Sequence, residues 1–427
     1  MDAYQITGDA AYAATARDIF SYLLRDMLDP SGGFYSAEDA DSDNPYREGE
    51  HGEGAFYLWS RDHIEKLLGS PAAEIFMHSY GVEEEGNVDQ DPHDEFTGLN
   101  ILARRYDVEQ TAAALELDPD LVARSLAVSK QTLLAERDQR LSPHLDDKVL
   151  TAWNGMVIGA LARGGAILKE QGYLEAAART ASFIHEHLYD KEQRTLQRRY
   201  RNGTAGLAGQ LDDYTFLVAG LLELYQISQD FRWLEWSKEL TETQMALFWN
   251  EEDSFFYDSV EDPTLKVRMR ETNDGAEPSG NSVAALNLLR LSQFYNNRDW
   301  HERAGRLIES FADSINGYPT ALPLMLTAWR QLQAKSTQVV IAGKPGGEDT
   351  EALMAVVHKY YDPARLLLLA DGGQNQAFLG DYQEFLQTVA PIDGKAAAYV
   401  CADFTCKLPV TDPADLERQL GGAGKEG

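Results

Sequence analysis

The sequence predicts a mainly α-helical fold, an α/α toroid with a small α/β appendage at its C-terminal end. Two observations carry the prediction. The first is a repeat over residues 151–315, in which an almost wholly apolar helix is followed by an amphipathic one, three times. The apolar helices open at Thr151-Ala152-Trp153-Asn154-Gly155, Leu211-Asp212-Asp213-Tyr214-Thr215 and Pro278-Ser279-Gly280-Asn281-Ser282, 60 residues apart (151 to 211) and then 67 (211 to 278). A helix apolar all round is buried on every side, and one with a single apolar stripe covers the outside. Alternating the two builds two concentric layers. The second observation is a change of rhythm after Ala334. Thr337-Gln338-Val339-Val340-Ile341-Ala342-Gly343 reads as a buried strand.

Taken in order, residues 10–28 form an amphipathic helix, with Ala13, Ala16, Ile19, Phe20, Leu23, Leu24 and Met27 at helical spacing. Asp29-Pro30-Ser31-Gly32-Gly33 stops it. Residues 34–56 are an acid-rich loop, 57–80 a shorter helical stretch, 81–100 a polar surface excursion and 119–138 another outer helix. Inner helices follow at 153–168, 213–228 and 280–295, with outer partners at 172–188, 231–248 and 299–315. A fourth apolar helix, 320–333, has no clear outer partner. Thr195–Arg201 and residues 254–270 are β-prone links between hairpins. Helix 348–360 and strand Arg365–Ala370 complete a β-α-β unit, and 396–402 adds a strand. The expected domains are a toroid over 1–334, an appendage over 335–412 and a flexible tail over 413–427. Five outer helices stand against four inner ones, whereas a closed six-hairpin ring has six of each. The expectation is therefore a ring missing its first inner helix or hairpin, with an open seam through which two copies dimerise.

Charge excludes some classes of function. The chain carries 69 Asp and Glu against 38 Lys and Arg, a net charge of −31. Sequence-independent nucleic-acid binding needs cations to neutralise phosphates, so no nucleic-acid partner is expected. An anionic membrane surface is disfavoured for the same reason. No apolar run approaches the ~18 residues of a membrane span, and Met1-Asp2-Ala3-Tyr4-Gln5 carries no secretory signal. Cys401 and Cys406 are too few for a disulfide framework and read as free thiols. The expected location is cytoplasmic.

The candidate site is assembled from the starts of the inner helices. Trp153 and Asn154 stand at the first; a Trp stacks on a sugar face and an Asn bonds hydroxyls. Ahead of them lies His144-Leu145-Asp146-Asp147-Lys148, whose Asp is either a helix cap or an acid–base group. Asp212, Asp213 and Tyr214 repeat the arrangement, and Glu277, Ser279 and Asn281 repeat it again. Glu38, Asp39, Asp41 and Asp43 form the densest carboxylate cluster, and carboxylates whose pKa values are pushed apart divide acid and base roles. The plain alternative is a solvated loop. Asp39, Asp41, Asp43 and Glu50 fall at positions 1, 3, 5 and 12 of an EF-hand-like loop. Asn44 stands where the loop needs Gly, and the flanks are not helices, so calcium is disfavoured. Arg268 and Arg270 are candidates to counter a sugar carboxylate or to pair with surface acids. His185 and His187, two apart on a helix, face different ways and make a poor metal pair. Gly343-Lys344-Pro345-Gly346-Gly347 lacks the order of a phosphate loop. No metal and no cofactor are expected.

Several of these segments carry a resemblance. Gly32-Gly33-Phe34-Tyr35-Ser36-Ala37-Glu38-Asp39-Ala40-Asp41-Ser42, Asp146-Asp147-Lys148-Val149-Leu150-Thr151-Ala152-Trp153-Asn154-Gly155, Leu211-Asp212-Asp213-Tyr214, Gly280-Asn281-Ser282 and Tyr399-Val400-Cys401 resemble the thioredoxin-domain-containing proteins of the spermatogenesis-associated protein 20 type. The resemblance implies an N-terminal thioredoxin-like domain followed by a six-hairpin toroid similar to glycosidases and N-acylglucosamine 2-epimerases. This chain has no Cys-x-x-Cys and resembles the C-terminal part. The implied function is sugar epimerisation, isomerisation or glycoside hydrolysis. Asp39, Asp41, Asp147 and Asp213 would be the catalytic carboxylates, and Glu38, His144, Trp153, Asn154, Asp212, Tyr214, Glu277, Ser279 and Asn281 the sugar contacts. Related epimerases use histidines, and none of the nine here stands at an inner-helix mouth. The alternative is a non-catalytic binding module that works with a thioredoxin-like partner.

Overall fold

The computed structural model describes residues 1–88, 96–402 and 405–421. The chain forms two compact units, Met1–Ser36 with Lys148–Gly427, and Ala37–Asp147. The first opens with a short helix α1 (Asp2–Thr7) and an outer helix α2 (Ala10–Tyr22), whose start is capped by the Asp9 carboxyl on Ala11 N.

The second unit is inserted after Ser36. It begins with strands β1 (Ala37–Glu38), β2 (Asp41–Asp43) and β3 (His51–Glu53), continues through helices α3 (Arg61–Leu68), α4 (Ala72–Tyr80), α5 (Val108–Leu115) and α6 (Pro119–Arg137), and closes on β4 (Leu145–Asp146). Gly69-Ser70-Pro71 divides the single stretch expected at 57–80 into α3 and α4, because Pro cannot continue a helix from its interior. Asp107 and Gln110 form a capping box on α5, and Asp118 caps α6 ahead of Pro119. The helices enclose a core of Trp59, Ile64, Ile75, Phe76, Val122, Leu126 and Leu133. This corrects the reading of 119–138 as a wall of the toroid: the stripe Val122, Leu126 and Leu133 faces the insert's own core. Part of the excursion expected at 81–100, residues 89–95, lies outside the described residues.

Back in the first unit, β5 (Val149–Leu150) leads into inner helix α7 (Thr151–Leu168), which pairs with outer helix α8 (Gln171–His187). A link of β6 (Tyr189–Asp190), β7 (Thr195–Arg201) and β8 (Thr204–Ala208) precedes inner helix α9 (Leu211–Ser228) and outer helix α10 (Phe231–Phe248). The link of β9 (Trp249–Asn250) and β10 (Phe255–Phe256) precedes inner helix α11 (Gly280–Phe294) and outer helix α12 (Arg298–Glu309). After α13 (Ala312–Gly317) comes the fourth apolar helix, α14 (Pro323–Gln333). α7 packs on α9, α9 on α11 and α11 on α14, while α8, α10 and α12 back their own partners. This is the two-layered α/α toroid. Among the described residues four full inner helices alternate with outer helices α2, α8, α10 and α12. The short α1 also stands on the inner side, where Asp2 and Gln5 bond Arg163 of α7.

Glycines set the closest crossing. A Cβ on Gly220 of α9 would lie 2.1 Å from the Gly155 carbonyl of α7, and one on Gly155 would lie 2.5 Å from Leu217 N. Gly159 faces Gly220 across the same contact. Each glycine costs about 1 kcal/mol of helix propensity, which the approach of the two backbones offsets.

One brace recurs at the start of three inner helices. The Asn154 amide on α7 accepts from Phe34 N at 2.7 Å and donates to Phe34 O at 3.0 Å. The Tyr214 hydroxyl on α9 accepts from Leu196 N at 2.9 Å. The Asn281 amide on α11 accepts from Phe256 N at 2.8 Å and donates to Phe256 O at 2.9 Å. In each case the next residue, Tyr35, Gln197 or Tyr257, donates its N–H to the last turn of the preceding outer-helix segment, at Met27, Leu188 or Phe248. Phe34, Leu196 and Phe256 are thus one repeat position, buried each time.

The appendage contains β11 (Thr337–Ala342), α15 (Glu348–Lys359), β12 (Arg365–Ala370), α16 (Gln374–Gly380), β13 (Ala397–Ala402), β14 (Thr405–Cys406) and α17 (Pro413–Gly421). The sheet order is β12-β11-β13-β14, with β11 and β12 parallel and β13 antiparallel to β11. The edge strand β12 is covered from α9: the Gln226 carboxamide accepts from Leu367 N and that of Gln229 donates to Leu367 O. Gly343 admits the close approach of Thr350 and Ala396, which a Cβ would meet at 2.3 and 2.9 Å, so the glycine there answers to packing. Two expectations are corrected. Residues 413–421 are not tail but helix, because Leu416 and Leu420 face Leu353 and Val357 of α15 in the appendage core. Cys401 and Cys406 are not free thiols: they face each other across the β13–β14 ladder and are joined by a disulfide. No described helix is long and apolar enough to cross a membrane.

Candidate functional site

The starts of α7, α9 and α11 lie at one end of the inner layer, held in register by the braces. At the centre stands Asp213, whose two carboxyl oxygens meet three donors. Oδ1 accepts from Ala152 N at 3.1 Å; Oδ2 accepts from Gln210 N at 2.8 Å and from Arg198 Nη1 at 3.3 Å. Asp213 therefore ties the start of α9 to that of α7. Burial pushes it up to about 6 despite the bonds, and Asp212 beside it adds to the rise. Its lone pairs are held by the fold, which supports a structural role in place of the catalytic one expected.

Asp212 is placed differently. Its side chain reaches across to the start of α11, where a Cβ on Gly280 would touch its Oδ1 at 2.6 Å. Its carboxyl oxygens accept no hydrogen bond among the described residues. Burial, joined by the Asp258 and Glu277 carboxylates and opposed by Arg198, raises it to about 6. Glu271 is raised by burial and by Asp212, Asp258, Glu277 and Asp274, and Asp258 by burial. Trp153 of α7 is 36% exposed and donates its indole N–H to Glu277 Oε1 at 2.7 Å. The mouth thus presents an aromatic face beside four interacting carboxyl groups.

Other expected residues have plainer work. Asn154, Tyr214 and Asn281 are buried and engaged in the braces. Ser279 caps α11 through its Oγ on Ser282 N, and Asp274 accepts from Ser279 N and from Leu324 N at the start of α14. Arg268 bonds the Ser259 and Leu247 carbonyls and lies 4.1 Å from the Tyr257 ring centre, while Arg270 sits over Phe255 and Phe311. His185 stacks on Tyr189 and His187 packs on Phe183 and Tyr200, on separate faces of α8.

The remaining candidates belong to the insert. Ala37 pairs with Asp146 and Glu38 with Leu145, and Asp39 N donates to the His144 carbonyl. Glu38, Asp39, His144 and Asp147, a hundred residues apart in sequence, are therefore neighbours there. Glu38 accepts from the Tyr57 hydroxyl at 3.1 Å. Asp39 Oδ1 accepts from Asp41 N, and Asp41 lies on the exposed side of the β2–β3 hairpin. Among the described residues no three carboxylates or imidazoles gather as a metal site would require.

Sequence reasoning missed Arg198 and Asp258, and read Glu271 and Asp274 only as part of the polar run Glu271-Thr272-Asn273-Asp274 ahead of the third mouth. A signal existed for two of them. Counting two residues on from Phe34, Leu196 and Phe256 gives Ser36, Arg198 and Asp258, one per repeat. Ser36 bonds the Lys148 carbonyl, Arg198 bonds Asp213 and Asp258 accepts from Glu271 N.

No protein-family model matches the chain. It is similar to spermatogenesis-associated protein 20 of Homo sapiens, 38% identical over 439 residues, covering 98% of this chain and 56% of that protein. The protein of the same name from Mus musculus is 37% identical over 439 residues, with 98% and 55% covered. The chain spans about half the length of the curated relatives it matches. Among solved structures it is similar to cellobiose 2-epimerase from Bacillus thermoamylovorans, with 13% identity, a TM-score of 0.34, and 61% of this chain and 66% of that one covered. It is likewise similar to a sugar epimerase from a ruminal bacterium, with 10% identity, a TM-score of 0.35, and 71% and 72% covered.

Proposed function

We propose that the protein is carbohydrate-active and that the mouth formed by α7, α9 and α11 binds a sugar and moves a proton at it. Asp212 carries this reading. It is a carboxyl group without a hydrogen-bond partner among the described residues, raised to about 6, and it interacts with Glu277, the carboxylate that the exposed Trp153 bonds. Acid–base catalysis is most efficient when the catalytic pKa lies near the working pH, and at pH 7 such a group is roughly one-tenth protonated. Trp153 offers a stacking face and Glu277, oriented by the indole N–H, an acceptor for hydroxyls.

Asp212, Asp258 and Glu271 are all shifted upward. Glycoside hydrolysis asks for two carboxyls whose values are pushed apart. A cluster shifted one way fits proton abstraction beside a carbonyl better, and hence epimerisation or isomerisation. The test is incubation of the chain in deuterated water with mono- and oligosaccharides, followed by proton NMR. Deuterium is expected beside the anomeric carbon with the wild type and not with Asp212→Asn. Equal exchange in both removes Asp212 from the site, and new reducing ends without exchange replace epimerisation with hydrolysis.

A second reading is a binding module that turns over no sugar and works beside a thioredoxin-like partner. The engagement of Asn154, Tyr214 and Asn281 in the fold favours it, since fewer side chains are left for a substrate. A folded chain that leaves every sugar unchanged and co-purifies with a thioredoxin-like protein selects this reading.

A further inference from the structure

The disulfide between Cys401 of β13 and Cys406 of β14 is a bond that the fold has little need of. Its cysteines are five residues apart. A disulfide stabilises chiefly by limiting the unfolded chain, and the gain grows with the loop it closes, so this bond sits near the bottom of that scale. The chain around it is paired without it. Lys407 N donates to the Val400 carbonyl at 2.9 Å, and Ala398 and Val410 exchange both of their backbone bonds at 2.8 and 3.0 Å. The appendage core of Val339, Ile341, Leu353, Leu367 and Leu416 is built without either cysteine. Disulfides that stand in for a core belong to small domains, whereas this chain has 427 residues and only these two cysteines.

The bond is also presented unequally. Cys401 is 6% exposed, while Cys406 and its neighbours Thr405, Lys407 and Leu408 are all exposed. A thiolate arriving from solvent therefore meets the Cys406 sulfur first. Two features around this sulfur suit a protein better than a small thiol. β14 is an edge strand, with β13 on one side and no strand on the other among the described residues, and an open edge accepts a strand from another chain. Leu408, two residues on, is 86% exposed, more than any other large apolar side chain among the described residues. It offers an apolar anchor beside that edge.

We propose that Cys401–Cys406 is a thiol–disulfide exchange site whose partner is a protein dithiol. One thiolate of the partner attacks Cys406 Sγ. The Sγ–Sγ bond breaks, and its electron pair leaves on Cys401 Sγ, which takes up a proton. The partner's second thiolate then attacks the partner's own sulfur in the mixed disulfide, and that electron pair leaves on Cys406 Sγ, which takes up the second proton. The partner ends as a disulfide, oxidised by two electrons, and the chain ends with two thiols. The backbone pairing and the appendage core hold in both states. The site rests on neither reading of the toroid.

The test uses the full oxidised chain, with thioredoxin as the protein dithiol, regenerated by its reductase and NADPH, and dithiothreitol as a dithiol without a protein surface. Two thiols are expected to appear per chain, roughly a hundredfold faster with thioredoxin than with dithiothreitol at equal concentration. A thioredoxin whose second active-site cysteine is replaced by serine is expected to be trapped on Cys406, which peptide mass spectrometry reads. Leu408→Ser is expected to slow thioredoxin about tenfold, through loss of the apolar anchor. The reduced chain is expected to melt within about 4 °C of the oxidised one. Equal rates with the two dithiols overturn the proposal, as do trapping on Cys401 and an unchanged thioredoxin rate in Leu408→Ser. A reduced chain that melts far lower makes the bond a staple of the fold and overturns it as well.

Discussion

Asp212 and Asp213 are neighbours in sequence, sit at the same helix start and are both raised to about 6 by burial, yet their partners differ. Asp213 is desolvated but satisfied by three donors. Asp212 is desolvated, faces other carboxylates and is satisfied by none. Unfolding returns Asp212 to its ordinary value of 3.8, so between about pH 4 and 6 the folded chain keeps a proton that the unfolded chain has released. Its contribution to stability is complete below pH 4 and is lost as the pH climbs through 6. Asp212→Asn, which carries no charge to bury, is therefore expected to be more stable than the wild type by about 1–2 kcal/mol at pH 7.5. The difference shrinks toward pH 4, and denaturant melts at the two pH values measure it. Greater stability combined with lost turnover is the expected mark of a group that the fold holds at a disadvantage for its chemistry. A variant less stable at pH 7.5 would contradict the account of Asp212 as an unsatisfied carboxyl.

At the scale of the element, the α7–α9 crossing is the place where the fold tolerates least. Gly220→Ala sets a methyl group into the Gly155 carbonyl, and backbone cannot swing aside as a side chain can. The expected cost is about 3 kcal/mol, the upper end of what overpacking costs. Gly305→Ala on α12, where a Cβ would meet only Leu332 Cδ2 at 3.8 Å, is expected to stabilise by up to ~1 kcal/mol through helix propensity. Paired thermal melts of the two variants decide the matter. The inner helices were legible in the sequence because all-round apolarity states burial without reference to a partner. α6 was misread because an amphipathic stripe states only that one face is covered, not by what. The insert's ends gave no local signal, since β1 and β4 are two-residue strands that exist only by meeting each other. The braces were hidden for a related reason. An Asn or Tyr at a helix start looks the same whether it awaits a sugar or holds the backbone of a residue many positions earlier, as Asn154 holds Phe34. The disulfide was missed because counting two cysteines says nothing of a ladder that sets them face to face.

For the whole molecule the net charge of −31 is the dominant fact. Isolated ion pairs such as Arg298 with Glu302 are exposed and contribute little. Self-repulsion among unpaired carboxylates opposes the compact state, and salt screens it. Raising NaCl from roughly 0.05 M to 1 M is expected to raise the melting temperature by several degrees, against the small change typical of a neutral protein. Scanning calorimetry at fixed pH measures it, and a melting temperature that falls with salt would mean that attractive pairs outweigh repulsion. The insert adds one more consequence. β1 and β4 lay the chain's way into the insert alongside its way out. In the toroid the Ser36 hydroxyl must find the Lys148 carbonyl, across a loop of the insert's 111 residues (37–147). An unstructured loop of that length costs about 3 kcal/mol more to close than a four-residue turn. Once the insert has folded and joined its own two ends, it works as a splint, and the ring assembles as though the intervening chain were a short turn.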